Sequence, residues 1–246
     1  MKNTLKILTA SLLSGATSLS LLSLPAGAAT RSQRRPLKPS QLLSIAVKSG
    51  SDMRSVHFTN YDHLGQATIS QSGSAGIDKG YVYSTYRDGK IKGASQEVYQ
   101  NGRLYLKANS LTLISFFGFK KAGAEKYGNK WIFIPKTDVA YINLTASLTI
   151  SGQMQQIKIP GKVTYLKNPK LNGKKVLGIV GHPQSQGGLS ETEILYTSVT
   201  KNHLPLKATL SQGKNGYADV TFTKWNSIVK ITLPTQSTPI GKTGLE

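Results

Sequence analysis

The sequence predicts an α+β fold built on an antiparallel sheet. Apolar and polar residues alternate in steps of two along most of the chain, which is typical of strands with one buried and one polar face. Tight hairpin turns are indicated at Asp88-Gly89, Asn101-Gly102 and Asn172-Gly173. The middle of the chain changes to helical spacing, from Leu111 to Ala122. A helical insert therefore interrupts a meander of strands.

The chain before this insert is predicted to contain one short helix and a series of strands. Ser40 is a candidate cap for the helix, and Leu42, Ile45 and Ala46 lie on one of its faces. The strands expected next cover residues 56–59, 67–71, 81–86, 97–100 and 104–108.

The insert is predicted to start at Asn109 or Ser110, the candidate caps, and to end before Gly128. Gly118 and Gly123 favour its division into two short helices, because glycine weakens a helix interior.

A short strand is expected at residues 131–134, where it stops at Pro135. Asp138 is a suitable cap for a further helix, but apolar residues also alternate over 142–150. Both a helix and a strand remain open there.

The C-terminal third is predicted to return to sheet. The expected strands cover 161–166, 175–180, 193–199, 204–211, 218–223 and 229–233. The remaining tail, residues 235–246, is polar and is expected to fray.

Residues 1–28 have the features of a secretory signal peptide. Lys2 and Lys6 precede an apolar stretch, and Ala26-Gly27-Ala28 supplies the small residues of a cleavage site. The protein is therefore expected to be exported to a periplasm, a cell envelope or the extracellular medium. An N-terminal membrane anchor is the alternative.

The chain is strongly basic, with Lys+Arg 31 against Asp+Glu 11 and a formal net charge of +20. Residues 29–38 form a basic linker that carries Arg31, Arg34, Arg35 and Lys38. These side chains are candidate contacts for lipid headgroups or polymer, and a solvated tail is the alternative. An exported chain with dispersed lysines favours an anionic membrane surface or wall polymer over nucleic acid. Adaptation to an acidic medium explains the charge equally well.

No catalytic residue, cofactor or metal site is predicted. Cysteine is absent, which excludes disulfides, thiolate metal sites and a cysteine nucleophile. Ser-x-x-Lys patterns at Ser211–Lys214 and Ser227–Lys230, and Lys242-Thr243-Gly244, lack the helical context of penicillin-binding enzymes. The four histidines are scattered. A hydrolase with a dispersed site is the remaining enzymatic alternative.

Three stretches of the sequence carry a family resemblance: residues 102–108, 124–135 and 203–234. They resemble the LppX/LprG-type cell-envelope proteins of the LolA/LolB-like superfamily of lipid carriers. The resemblance implies a strongly curved antiparallel sheet, a half-open barrel, with helices covering its concave face. The lipid-carrier domain would then extend over residues 39–234.

The resemblance also implies a function: a non-enzymatic carrier or binder of lipid, glycolipid or lipoprotein acyl chains in an apolar cavity. Because the chain has no lipidated cysteine, it resembles a shuttle more than an anchored carrier. A module that binds anionic wall polymers or lipid headgroups through its basic surface is the alternative. The residues expected to line the cavity, or to fill a closed core, are Leu104, Leu106, Phe116, Phe117, Val220, Phe222, Val229 and Ile231.

Overall fold

The computed structural model describes residues 37–183, 191–214 and 216–240. The helices in these ranges are α1 (Pro39–Ser51), α2 (Ser110–Phe117), α3 (Lys121–Tyr127), α4 (Val139–Leu148) and α5 (Ile150–Gln156). The first strands are β1 (Ser55–Leu64), β2 (Ala67–Gly76), β3 (Lys79–Asp88), β4 (Ile91–Gln100), β5 (Arg103–Ala108) and β6 (Ile132–Ile134). The later strands are β7 (Val163–Tyr165), β8 (Lys170–Leu171), β9 (Lys174–Lys175), β10 (Leu177–Gly181), β11 (Thr192–Thr197), β12 (Pro205–Ser211), β13 (Gly216–Thr223) and β14 (Thr238–Pro239).

Twelve of these strands form one large sheet. Its order is β14-β6-β5-β4-β3-β2-β1-β13-β12-β11-β10-β7, and β8 pairs with β9 separately. Every pair is antiparallel except β14 with β6. The two edge strands, β14 and β7, do not pair, so the sheet stays open as a half-barrel. The predicted α+β class with a curved antiparallel sheet is confirmed.

The strand register separates the sheet into two faces. Phe58 lies opposite both Phe222 and Gly73, and the same row continues through Val82 and Glu97. The helices pack on this side, which we call the concave face. At Gly80 a Cβ atom would lie 2.0 Å from the Leu148 carbonyl oxygen, so the end of α4 rests directly on the backbone of β3.

The hydrophobic core lies between the concave face and the helices. Leu42 and Ala46 of α1 are fully buried, as are Leu104 and Leu106 of β5 and Ile132 of β6. Burying each of the leucine and isoleucine side chains contributes about 1.5–3 kcal/mol. The core therefore spans most of the sheet and holds the helices against one face.

The predicted elements of the N-terminal half are confirmed. Helix α1 starts at Pro39 with Lys38 at its N-cap, so the expected cap Ser40 is wrong and this serine lies inside the first turn. Proline suits the first turn, since its missing N–H has no partner there in any helix. The hairpin between β4 and β5 turns at Asn101 (φ 50°) and Gly102 (φ 80°), the left-handed pair that such a turn requires.

The insert forms two helices, as its glycines predict. Asn109 caps α2 by accepting a hydrogen bond from the Thr112 N–H at 2.8 Å. Gly118 ends α2 in the left-handed conformation, with φ 73°. The region left open between helix and strand is helical, because Asp138 Oδ1 accepts from the Ala140 N–H and starts α4.

The predicted strand at 229–233 is wrong. No strand lies between Thr223 and Thr238 in the described chain, because β1 and β12 already occupy both edges of β13. We call residues 224–237 the strap, since they connect β13 to the far edge of the sheet. Lys230 and Ile231 lie beside Tyr81 and Tyr83, on the convex face.

The described part of the tail, up to Ile240, is also more ordered than predicted, and residues 241–246 lie outside the described chain. The Thr238 N–H donates to the Trp131 carbonyl at 2.9 Å, and the Ile240 N–H donates to the Phe133 carbonyl at 2.9 Å. These bonds form β14 as a parallel edge strand. Polar composition alone gives no sign of a partner that lies about 100 residues earlier in the chain.

The predicted signal peptide and most of the basic linker lie outside the described residues. Among the residues that the structure does describe, no helix combines the length and apolar character needed to span a bilayer.

Candidate functional site

The helices cover the concave face unevenly. Helix α1 packs on β7, β10 and β12, whereas α2, α4 and α5 pack on β2, β3 and β4. Between these two groups lie half-buried side chains of β1, β2, β12 and β13. We call them the concave patch, and its members are Asn60, Asp62, Ile69, Gln71, Ala208, Leu210, Ala218 and Val220.

The register makes the patch continuous across four strands. Asp62 lies opposite Ile69 on one side and Ala218 on the other. In the next row, Asn60 lies opposite Gln71 and Val220. Apolar side chains thus surround a short polar row, and all of them remain partly accessible.

Aromatic side chains from the insert border the patch on one side. Tyr86 is the register partner of Ile69, and it stacks on Phe116 with ring centroids 4.7 Å apart. Phe117 meets the same tyrosine edge-on, at 5.9 Å. The insert therefore forms an apolar wall beside the open part of the sheet.

A hydrogen-bonded row of polar side chains crosses the concave face from the patch into the core. Asn60 Nδ2 donates to Asp62 Oδ2 at 3.1 Å and to Gln71 Oε1 at 3.0 Å. Gln71 Nε2 donates to Ser84 Oγ at 3.1 Å. Farther along the sheet, Ser95 Oγ donates to Glu97 Oε1 at 2.6 Å. Satisfied networks of this kind fix side-chain positions within an otherwise apolar interior.

Three carboxyl groups on this face have raised pKa values. Burial raises the pKa of Asp62 to about 6, against the opposing effect of the Asn60 hydrogen bond, and the charge of Asp219 on the adjacent strand adds to the increase. Complete burial raises the pKa of Glu97 to about 7. Burial, with the nearby charge of Glu191, raises the pKa of Glu193 to about 7. Each charged form is disfavoured because water is excluded.

Sequence reasoning missed these three acids. The signal was available, because Asp62 shares the alternation of Val56 and Phe58, and Glu193 shares that of Leu195. An acid in the apolar register of a strand indicates a buried carboxyl.

The predicted cavity residues fall into three groups. Phe116, Phe117 and Val220 border or belong to the concave patch. Leu104, Leu106 and Phe222 are 0–2% exposed and pack within the core.

Val229 and Ile231 lie in the strap. Val229 is buried, and Ile231 lines a cleft of about 310 Å³ together with Tyr81, Tyr83 and Trp131. A second cleft, of about 790 Å³, lies between Trp131 and the end of the strap. Both clefts follow the strap, on the side of the sheet opposite the helices.

The candidate headgroup contacts are mostly outside the described chain. Arg31, Arg34 and Arg35 fall there, and Lys38 is an exposed residue at the start of α1. Its backbone N–H donates to Gln41 Oε1 at 2.8 Å.

Within the described ranges, no group of three His, Asp or Glu side chains is placed to hold a metal ion. His57 and His63 lie on the convex face, by the strand alternation of β1.

Comparisons with known proteins find solved structures of similar fold. A scan against protein-family models and a search of curated proteins each found no match. Among solved structures, LprF from Mycobacterium bovis is similar at a TM-score of 0.51 and 15% identity, over 80% of this chain and 96% of that one. The lipoprotein LppX from Mycobacterium tuberculosis gives 0.47 and 13%, over 78% and 98%. A putative outer membrane lipoprotein-sorting protein domain from Vibrio parahaemolyticus gives 0.28 and 11%, over 78% and 95%.

The similarity to LprF covers nearly all of that protein. The chain therefore shares the fold of LprF, and this agrees with the open, curved antiparallel sheet and covering helices that the resemblance implies.

Proposed function

We propose that this protein is an exported, non-enzymatic carrier or binder of lipids or acylated molecules. The concave patch is the observation that carries this proposal. Its apolar side chains, Ile69, Leu210, Ala218 and Val220, are partly accessible on the face where the fold otherwise builds its core. Partly exposed apolar surface beside a core favours an apolar ligand.

The surroundings support an acyl chain as that ligand. Phe116 and Phe117 supply an apolar wall on one side of the patch. Burying a hydrocarbon chain contributes about 0.8 kcal/mol per CH₂ group and requires no catalytic residue. A carrier of this kind needs an apolar surface next to a polar one, which the row of Asn60 and Gln71 provides.

Native mass spectrometry tests the proposal directly. We expect protein purified from its own cell envelope to carry lipid, and delipidated protein to take up lipid offered in detergent. Val220→Trp should reduce uptake because it fills the patch, whereas Thr221→Trp, one residue along on the convex face, should not. Protein that neither retains nor takes up any lipid would contradict the proposal.

A second candidate function, contact with an anionic polymer or membrane surface, is favoured by the charges of the convex face. The strand alternation places every Lys and Arg of the large sheet on that face: Lys79, Arg87, Lys92, Arg103, Lys107 and Lys207. Such a surface attracts polyanions in a salt-dependent way.

Retention on immobilised teichoic acid measures this second function. Replacing Lys79, Arg87 and Lys92 with glutamine should weaken retention at low salt. The same change at Lys170, Lys174 and Lys175, in the β8–β9 hairpin, is the matched control. Equal loss in both triple variants would show that only total charge matters.

A further inference from the structure

The interior of the half-barrel contains acids without cations, although the chain as a whole is strongly basic. The acids on the concave strand positions are Asp62, Asp88, Glu97 and Glu193. In the described strands, no Lys or Arg occupies a concave position. With 31 basic residues against 11 acids, this distribution is the reverse of the overall composition.

The helices that cover the face add no buried cation. Helix α3 contains Lys121 and Lys126, and both of these residues are exposed. The sequences of α2, α4 and α5 contain no charged residue. In α1, Lys48 forms an exposed pair with Asp52 at 2.9 Å. The lining of the concave face is therefore neutral or acidic from both sides.

The polar members of the concave patch use most of their N–H donors within the row, where Gln71 Nε2 also donates to Ser84 Oγ, so they offer a ligand mainly acceptors. Both hydrogens of the Asn60 amide group face acceptors, Asp62 Oδ2 and Gln71 Oε1, and the Asp62 carboxylate has further lone pairs. A hydroxyl group can donate to such a carboxylate. A phosphate group cannot donate when fully ionised, and it would face a like charge in a medium of reduced dielectric constant.

Resting on the proposed function, we infer that the concave patch selects lipids with uncharged, hydroxylated heads and that Asp62 excludes anionic ones. The apolar side chains of the patch hold the acyl chains, and the Asp62–Asn60–Gln71 row receives the hydroxyl groups. The basic convex face has no part in this selection, because it lies on the other side of the sheet.

A matched pair of lipids tests this inference. Dioleoylglycerol and dioleoylphosphatidic acid share their acyl chains and differ in one hydroxyl against one phosphate. Uptake of each is measured by native mass spectrometry and by displacement of a fluorescent fatty acid, at pH 8 and high salt. High salt suppresses binding of the phosphate to exposed lysines while leaving partly buried interactions less affected.

We expect the native protein to bind dioleoylglycerol about tenfold more tightly than dioleoylphosphatidic acid, as one like charge at short range implies. Asp62→Asn should reduce this preference to about twofold, chiefly by improving binding of the phosphatidic acid. Asp219→Asn removes the same charge from the convex face, and should keep the full preference.

The outcomes separate the two proposals. Equal binding of both lipids by the native protein, or tighter binding of the phosphatidic acid, overturns the inference and leaves the carrier function intact. An unchanged preference in Asp62→Asn also overturns it. Binding of neither lipid overturns the proposed function itself.

Discussion

An aspartate carboxyl group has different surroundings on the concave and the convex face of the sheet. Asp219 on the convex face accepts hydrogen bonds from Lys207 Nζ at 2.9 Å and from the Tyr217 hydroxyl at 2.8 Å. Asp62, on a neighbouring strand but the concave face, has an amide partner and a pKa raised to about 6. Strand alternation thus separates a strongly charged surface from a largely apolar one with partly or fully buried acids. The basic composition describes only the first of these surfaces.

The largest difference between the two faces is expected in the free energy of unfolding when a large side chain is removed from each. Leu104 is 0% exposed on the concave face, and its neighbour Arg103 is exposed on the convex face. Leu104→Ala should lower the free energy of unfolding by about 2–5 kcal/mol, because it leaves a cavity in the core. Arg103→Ala should change it by less than about 0.5 kcal/mol. Urea unfolding measures both, and similar losses would show that the faces do not differ in packing.

The buried acid of the concave face should make stability depend on pH. The pKa of Glu97 is about 7 in the folded protein, whereas an unfolded glutamate has its ordinary pKa of 4.5. The folded state therefore binds the extra proton between these values, and stability falls as pH rises through them. The loss between pH 5 and pH 8 should be about 2–3 kcal/mol.

Glu97→Gln should remove the share of this loss that belongs to Glu97, since glutamine accepts the Ser95 hydrogen bond without a charge. The raised pKa values of Asp62 and Glu193 leave a shallower decline in the variant. The variant should be more stable than the native protein at pH 8 and close to it at pH 5. Thermal unfolding at the two pH values decides the matter. An equally steep decline in Glu97→Gln would assign the pH dependence to other groups.

The pairing of β14 with β6, directly after the strap, should contribute less to the free energy of unfolding than Leu104 or Glu97 does. Thr238→Pro removes the N–H that donates to the Trp131 carbonyl and should cost about 1–2 kcal/mol. Thr238→Ala keeps that N–H and serves as the control. Tryptophan fluorescence should report increased solvent exposure near Trp131 only in the proline variant. Identical behaviour of both variants would mean that β14 does not stabilise the edge of the sheet.

Much of the fold was predictable because its signals are local. Asn101-Gly102 specifies a hairpin by its own left-handed geometry, and Asn109 caps α2 through a residue three positions away. The strap was not predictable in this way. Val229, Ile231 and Leu233 alternate like a strand, but whether such a segment pairs depends on a free edge elsewhere in the sheet.

The candidate site, like the strap, depends on contacts between residues that lie far apart in the sequence. Phe116, Phe117 and Val220 are predicted from the sequence to line a cavity or fill a core, yet their place beside the open patch follows from where the helices stop. Asp62 shows no unusual feature in isolation. Its significance comes from lying opposite Ile69 and Ala218, a pairing that joins residues more than 150 positions apart in the chain.

The smallest expected effect concerns Asp62 and Asp219. The same substitution, aspartate to asparagine, should change the free energy of unfolding in opposite directions at these two positions. Asp219→Asn weakens a partly buried pair with Lys207, and should lower the free energy of unfolding by about 0.5 kcal/mol. Asp62→Asn removes a charge that its surroundings disfavour while keeping an oxygen to accept from Asn60. At pH 8 it should raise the free energy of unfolding by about 1 kcal/mol. Denaturant titrations of both variants at pH 8 resolve differences of this size when the denaturant slopes agree. Two losses would mean that Asp62 is stabilised as an anion on the concave face, and the contrast between the faces would then be one of exposure and not of charge.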